Sequence, residues 1–325
     1  MKRLTAYPEL AAVLLAAVIG LCGRPPFAWL AAHQGINVLL VILVLATAVT
    51  IDPAALGRLA RAWRQVLVAV AVGVTVLPAL SWAVSRMVAA GSLRDGVLAV
   101  GLAPCEIASV ATTAMAGGEA AVSAGVLIGS TVAAVAFAGP ILTLEAGHAG
   151  VSPGAIIVNL ALVVALPLAA GIALRAWVPP AARVLETERS ERAAAAVALF
   201  SVAALVALIA AEVHLSARYA AVAGALVVFL AGSAAVGRLL GLRSRPPAAT
   251  ALLLTTSMRD FAIAAGLATS AFGPAAAAPL GLYGILVLVW GTAVAGILRQ
   301  RTAAAGVTRV PDPGQTTRIP AIDPD

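Results

Sequence analysis

Apolar runs long enough to cross a bilayer recur from one end of this chain to the other, and the polar stretches between them are too short to fold alone. Ten such runs lie at 8–23, 35–51, 65–89, 95–116, 119–144, 153–178, 193–213, 218–237, 247–271 and 277–298. A spanning helix needs about 20 mostly apolar residues, and 325 residues accommodate ten of them with short connections. Backbone groups in hydrocarbon must be satisfied within their own segment, so the predicted fold class is an all-α polytopic membrane protein. Charged residues make up only 11% of the chain, against about 25% in a soluble domain. The runs are separated by breakers at Arg24-Pro25-Pro26, Asp52-Pro53, Gly117-Gly118, Ser152-Pro153, Pro179-Pro180, Pro246-Pro247 and Gly273-Pro274.

A formal charge of +7 would suggest nucleic acid as the partner of a soluble protein. Here its distribution gives a different meaning. With ten spans and both ends on one side, that side holds sixteen of the 21 basic residues, Arg24, Arg86, Arg94 and Arg218 lie on the other, and Arg259 remains inside a span. The positive-inside rule then puts both termini in the cytoplasm, with no nucleic-acid partner. The expected location is the plasma (inner) membrane. An N-terminal leader is disfavoured, because Leu21 precedes Cys22 where a lipoprotein cleavage site needs a small residue. The two cysteines, Cys22 and Cys105, fit neither a metal spacing nor a disulfide framework.

Residues 1–301 are expected to form a single transmembrane domain. Its first repeat covers about 8–144, its second about 153–298, and a charged linker from Arg183 to Arg192 joins them. Each half then has five spans, and an odd-numbered half forces the second to enter the membrane in the opposite sense, as an inverted repeat. The tail 302–325, rich in Pro, Thr and Asp, is expected to be disordered in the cytoplasm.

Two spans at corresponding places carry polar interruptions. Span four reads Pro104-Cys105-Glu106-Ile107-Ala108-Ser109, followed by Thr112 and Thr113; span nine packs Thr255, Thr256, Ser257, Arg259 and Asp260 into six residues. A charged residue at mid-bilayer costs on the order of 2.5–3.5 kcal/mol on insertion scales, so it is retained where it faces a protein interior or a watery cavity. Paired interruptions of this sort point to a transporter's binding site. The hydroxyls have a simpler alternative, bonding back to the preceding helical turn. Arg259 and Asp260, adjacent on a helix, would point about 100° apart, which makes Glu106 the expected partner of Arg259. A structural Arg–Glu bridge between two helices is the competing account.

There is no phosphate loop, no Gly-x-Ser-x-Gly elbow and no dinucleotide fingerprint. The chain is therefore expected not to be an enzyme and to need no cofactor. The one catalytic alternative is an intramembrane acid–base pair of Glu106 and Asp260.

Several short motifs, in order, resemble the bile acid:sodium symporter family. They are Ala46 to Pro53, Pro78-Ala79-Leu80-Ser81-Trp82, Pro104 to Ser109 with Thr113, Ala116, Gly118, Ala121 and Ser123, then Ser130-Thr131 and Ser257 to Ala264. The resemblance spans about Pro8 to Arg301. It implies a core domain of spans 3–5 and 8–10, a panel domain of spans 1, 2, 6 and 7, and broken spans four and nine that cross behind a substrate cavity. It also implies uptake of organic anions, bile-acid-like or small carboxylates, by alternating access and driven by sodium.

The family's sodium-site pattern is altered, however. Gly73 stands for a Gln, Ser109-Val110 for Ser-Asn, Leu127 for a Thr, Thr255 for a Glu, and Arg259-Asp260 for Gln-Asn. Ser109 and Ser123 alone survive as sodium-ligand positions. The expectation is a secondary transporter of organic anions in which sodium coupling is altered and Glu106 or Asp260 carries a proton instead. The substrate and ion site expected comprises Glu106, Ser109, Thr112, Thr113, Ser123, Thr255, Thr256, Arg259 and Asp260. A sodium-independent facilitator or a membrane sensor of the same fold is the alternative.

Overall fold

A computed structural model describes residues 8–50, 62–146, 152–177, 187–213 and 217–304. Among them every regular element is helical. In chain order these are α1 (Pro8–Cys22), α2 (Arg24–Ala32), α3 (Gly35–Ala48), α4 (Trp63–Ser85), α5 (Ser92–Leu102), α6 (Ala108–Met115) and α7 (Ala120–Ala146). They continue with α8 (Pro153–Trp177), α9 (Glu188–Ala211), α10 (Arg218–Gly241), α11 (Pro246–Ser257), α12 (Phe261–Phe272) and α13 (Ala278–Ala304).

Among the described residues, six helical stretches are long and apolar enough to cross a membrane: Trp63–Ser85, Ala120–Glu145, Pro153–Trp177, Arg192–Ala211, Arg218–Gly241 and Pro274–Gln300. The protein is thus a multi-pass membrane protein. The runs at 95–116 and 247–271 are each interrupted, into α5 and α6 and into α11 and α12. α3 is a shorter apolar helix.

Three local details differ from expectation. Arg24-Pro25-Pro26 opens α2 rather than a loop, at 96° to α1; proline fits a helix's first turn, where its missing N–H would have no partner anyway. The linker's second half is helical: Thr187 caps α9 by accepting from the Ser190 N–H at 3.3 Å, so charged residues form the helix's first turns. α8 contains a π-helical stretch, Ala161–Ala165, just before Pro167, a common accommodation next to a residue that cannot donate. The expected breakers at Asp52-Pro53 and Pro179-Pro180, and the tail beyond Ala304, lie outside the described residues.

α9 packs on α1 and α3, and α3 on α8; α4 packs on α5, α7 and α10, α10 on α11, and α7 on α8. Small residues set the closest approaches. A Cβ on Gly20 of α1 would lie 2.1 Å from the Ala207 carbonyl oxygen of α9, and one on Gly101 of α5 would lie 2.5 Å from the Leu77 oxygen of α4. Such backbone-to-backbone contact is how membrane helices associate where hydrophobicity gives no preference for a partner.

Candidate functional site

The first interruption follows from Pro104. Proline disfavours helix in the residue before it, and Ala103 is extended, with φ −67° and ψ 151°. The second interruption has no proline. Met258 (φ −90°, ψ 105°) and Asp260 (φ −72°, ψ 103°) are extended, and Asp260 restarts the chain as the N-cap of α12, its Oδ1 accepting from the Ile263 N–H at 2.8 Å. Asp is among the best N-caps. α13 secures the other end of the break. The Arg259 N–H donates to the Tyr283 hydroxyl at 3.3 Å, that hydroxyl donates to the Ser257 carbonyl at 3.3 Å, and Trp290 Nε1 donates to Ser257 Oγ at 2.9 Å.

The two breaks cross and pair as an isolated antiparallel bridge between Cys105 and Arg259. The Glu106 N–H donates to the Met258 carbonyl at 2.8 Å and the Asp260 N–H to that of Pro104 at 3.0 Å. Each break thus supplies the partner that the other's freed backbone groups need in a membrane interior. In extended chain, successive side chains alternate faces, so the bridge divides its side chains into two sets. Cys105 and Arg259 share one face; Glu106 and Asp260 share the other.

That division corrects two expectations. Arg259 and Asp260 do not sit 100° apart on a helix but on opposite sides of an extended segment. Glu106 is not the partner of Arg259: the charged side chain beside Glu106 is Asp260. The Arg259 guanidinium instead donates through Nη2 to the Ala103 carbonyl. Its Nη1 lies against Gly73, where an added Cβ would be 3.7 Å away. It is 3% exposed and its Nε has no hydrogen-bond partner.

The acids are equally buried, Glu106 at 7% and Asp260 at 1% exposure. Glu106 lies beside the backbone amides of Ala108, Phe261 and Ile107, at the starts of α6 and α12, and Asp260 beside those of Ile263, Ala262 and Ile107. One carboxyl oxygen of each, Glu106 Oε2 and Asp260 Oδ2, has no hydrogen-bond partner. Two like charges 4 Å apart repel by about 4 kcal/mol even at an effective dielectric of 20, so the pair favours a shared proton or a nearby cation, and Arg259 lies close enough to act on Asp260.

The hydroxyls divide between the two expected roles. Thr112 donates to the Ala108 carbonyl at 2.8 Å and Thr255 to that of Ala251 at 2.7 Å, both bonding back along their own helices. Ser257 does the same to Leu253 at 2.8 Å. Thr113 instead reaches Ser123 on α7 at 3.3 Å, while Ser109 faces Cys105 Sγ at 3.9 Å. Thr256 is buried without contributing a bond to this network. Sodium needs several oxygens around one point. At the altered positions Gly73, Val110 and Leu127 bring no side-chain oxygen, Thr255 offers a hydroxyl in place of a carboxylate, and a guanidinium sits beside Gly73.

A cavity of about 590 Å³ opens from the acid face of the crossing, between α1, α3, α6, α7 and α9. Its wall is largely apolar, with Val13, Leu43, Leu127, Val202, Phe261 and Leu288, and Glu106 is its charged lining residue. Arg259 does not line it. Thr47 and Thr50 of the α3 end do; the sequence offered only their place in the Ala46–Pro53 motif as a signal. Tyr283 and Trp290 carried no signal at all. A smaller hollow of about 310 Å³ between α7 and α8 is apolar and remote from the crossing.

A multi-pass helical protein with two interrupted helices crossing at a cavity has the form of a membrane transporter. The family model described as the sodium bile acid symporter family matches residues 37–222, and the chain belongs to that family of transporters. It is also 26% identical over 284 residues to a Bacillus subtilis (strain 168) protein named the uncharacterized sodium-dependent transporter YocS, covering 84% of this chain and 85% of that one.

Proposed function

We propose that the protein is a secondary transporter of the plasma membrane, moving an organic solute by alternating access and coupled to protons rather than sodium. In this account ten spans form two inverted five-helix repeats, and both termini are cytoplasmic. Span four is α5 with α6, and span nine is α11 with α12. The cavity then opens toward the cytoplasmic ends of α3 and α9, an inward-facing state. Arg259 stands where the family pattern would hold sodium, a fixed cation in a cleft that Gly73 leaves open. Glu106 and Asp260 carry the exchangeable proton, as buried acids do in many transporters.

The observation that carries this proposal is the division of charge by the crossing: guanidinium on one face, both carboxyls on the other, with Glu106 lining the cavity. The experiment is solute-driven proton movement. Purified protein in liposomes holding a pH-sensitive dye is challenged with a library of organic acids and amines, in sodium or in choline. An internal pH change that survives replacement of sodium by choline within about twofold, and is lost in Glu106→Gln, supports the proposal. A steep, saturable sodium requirement rejects it. Solute equilibration without proton movement would assign a facilitator, and binding without flux a sensor.

The family resemblance implies an organic anion as cargo. The meeting of two half-helix N-termini, those of α6 and α12, favours that cargo, since helix N-termini attract anions. On this second account the anion enters with protons on both acids.

A further inference from the structure

We infer that the apolar hollow between α7 and α8 holds one acyl chain of a membrane phospholipid, and that this chain sets the spacing of the helices around the transport cavity. Neither the solute nor the coupling ion of the transporter proposal enters into it.

The hollow exists because two neighbouring helices touch at one end and part at the other. A Cβ on Gly139 of α7 would lie 2.7 Å from the Pro153 carbonyl oxygen at the start of α8, so the backbones meet there. Farther along, Ile128 and Val132 of α7 face Ala165, Ala169, Ala173 and Ala176 of α8 across about 310 Å³ of space. Small side chains allow close helix contact in a membrane, yet α8 does not close on α7. Its other side is taken: Gly171 brings it against α3, where an added Cβ would lie 2.5 Å from that of Ala48. The π-helical stretch Ala161–Ala165 lies between the tight contact and the open one, and its last residue lines the hollow.

The occupant follows from rim and lining. Val132, Leu166 and Trp177 are 63%, 60% and 82% exposed on stretches that cross the membrane, so the rim already meets hydrocarbon. Water has no place inside. The Thr131 hydroxyl is buried and donates back to the Leu127 carbonyl at 2.8 Å, whereas a buried water needs about two to four polar partners. An empty hollow would leave the atoms lining it without dispersion partners, and an acyl chain supplies them. The head of that lipid has a place as well. Trp177 ends the span, at the depth where indole rings meet headgroups. Arg175 in the same turn is held to the Val49 carbonyl through Nη1 at 3.0 Å and keeps further donors for a phosphate.

The same helices wall the transport cavity. Leu127 of α7 lines that cavity while its neighbour Ile128 lines the hollow. α3, locked to α8 at Gly171, carries Ala46, Thr47 and Thr50 to the opposite wall. A chain wedged between α7 and α8 therefore fixes the distance from α7 to α3. Without it, α3 and α8 are free to swing toward α7 about the Gly139–Pro153 contact.

The test uses the full-length protein in nanodiscs of phosphatidylglycerol, with a trace of the same lipid bearing a diazirine on its acyl chain. Photolabelling is mapped by peptide mass spectrometry and compared with exposed Val227 and Val228 of α10. Label within 128–132 and 165–177 should exceed that on α10 by about tenfold. It should fall to the α10 level in Ala169→Trp and in Ala173→Phe, two substitutions that fill the hollow, with α10 labelling unchanged. The spacing is read between spin labels on Thr47→Cys and Met115→Cys in a Cys22→Ser background. Wild type in nanodiscs and Ala169→Trp in detergent should share one distance, and delipidated wild type in detergent should gain a second, shorter one.

Labelling of the hollow no stronger than that of α10, or persisting in both filled variants, overturns the acyl-chain site. Cross-links from these residues to a second copy of the chain would assign the hollow to a dimer and overturn it equally. Spin-label distances identical in all three samples reject the control of spacing. None of these readings involves a transported solute, so failure here and failure of proton coupling are separate results.

Discussion

At Gly73 the absence of a side chain decides where a charge can sit. The guanidinium of Arg259 fills the space beside it, and a Cβ there would make ordinary contact at 3.7 Å from Nη1. Gly73→Ala should therefore leave thermal stability and solute-driven proton flux close to wild type, whereas Gly73→Leu should displace the guanidinium and abolish flux. Flux unchanged in Gly73→Leu would show that the Arg259 position is immaterial. The triple substitution Gly73→Gln, Thr255→Glu and Arg259→Gln restores the residue types of the family pattern. It is expected to make flux respond to sodium, read by the sodium–choline comparison; no gain of response would remove Arg259 from the role of substitute ion. Asp260 separates two roles in the same way. Asp260→Ala should lower stability by about 1 kcal/mol through loss of the N-cap, while Asp260→Asn should unfold like wild type yet lose proton coupling. Each of these residues was visible in the sequence as a departure from a pattern. Which face each one occupies was not, because side-chain alternation applies only once the helix at 258–260 is known to be broken, and no proline announces that break.

The interrupted helices depend on a neighbour that the sequence does not advertise. Tyr283 is fully buried in α13 and its hydroxyl serves both the Arg259 N–H and the Ser257 carbonyl, at 3.3 Å each. Tyr283→Phe leaves those two backbone groups unsatisfied in a dry interior and should cost about 1–3 kcal/mol, measured as a lowered melting temperature with the fold intact. An unchanged melting temperature would mean that water replaces the hydroxyl. In sequence, Tyr283 is one more large residue in an apolar run. The continuous spans were legible for the converse reason: a helix surrounded by lipid must be apolar along its whole length, so composition alone locates it. α2 escaped notice because Pro25-Pro26 reads equally as a stop or as a first turn, and only the 96° bend at Gly23 distinguishes the two.

For the molecule as a whole, the proposed inward-facing orientation of the cavity sets an accessibility that can be measured from either side of the membrane. Thr47 lines the cavity near the α3 end, and Cys105 is buried while Cys22 is exposed. In a Cys22→Ser background, Thr47→Cys should react with an impermeant thiol reagent in inside-out vesicles and be protected by bound solute. Reaction only in right-side-out vesicles would reverse the proposed orientation. The pairing of residues 104–106 with residues 258–260 bears also on how the protein is made. The first interruption enters the membrane long before Met258 has been synthesised, and until then the Glu106 N–H and the Pro104 carbonyl have no partner in hydrocarbon. A chain severed in the charged segment before Thr187 should therefore yield a first half that is degraded when expressed alone and rescued when the second half is supplied with it. Neither half is then a self-sufficient ancestor of the other; each is born incomplete, and assembly across the crossing is the step that commits the nascent chain to its fold.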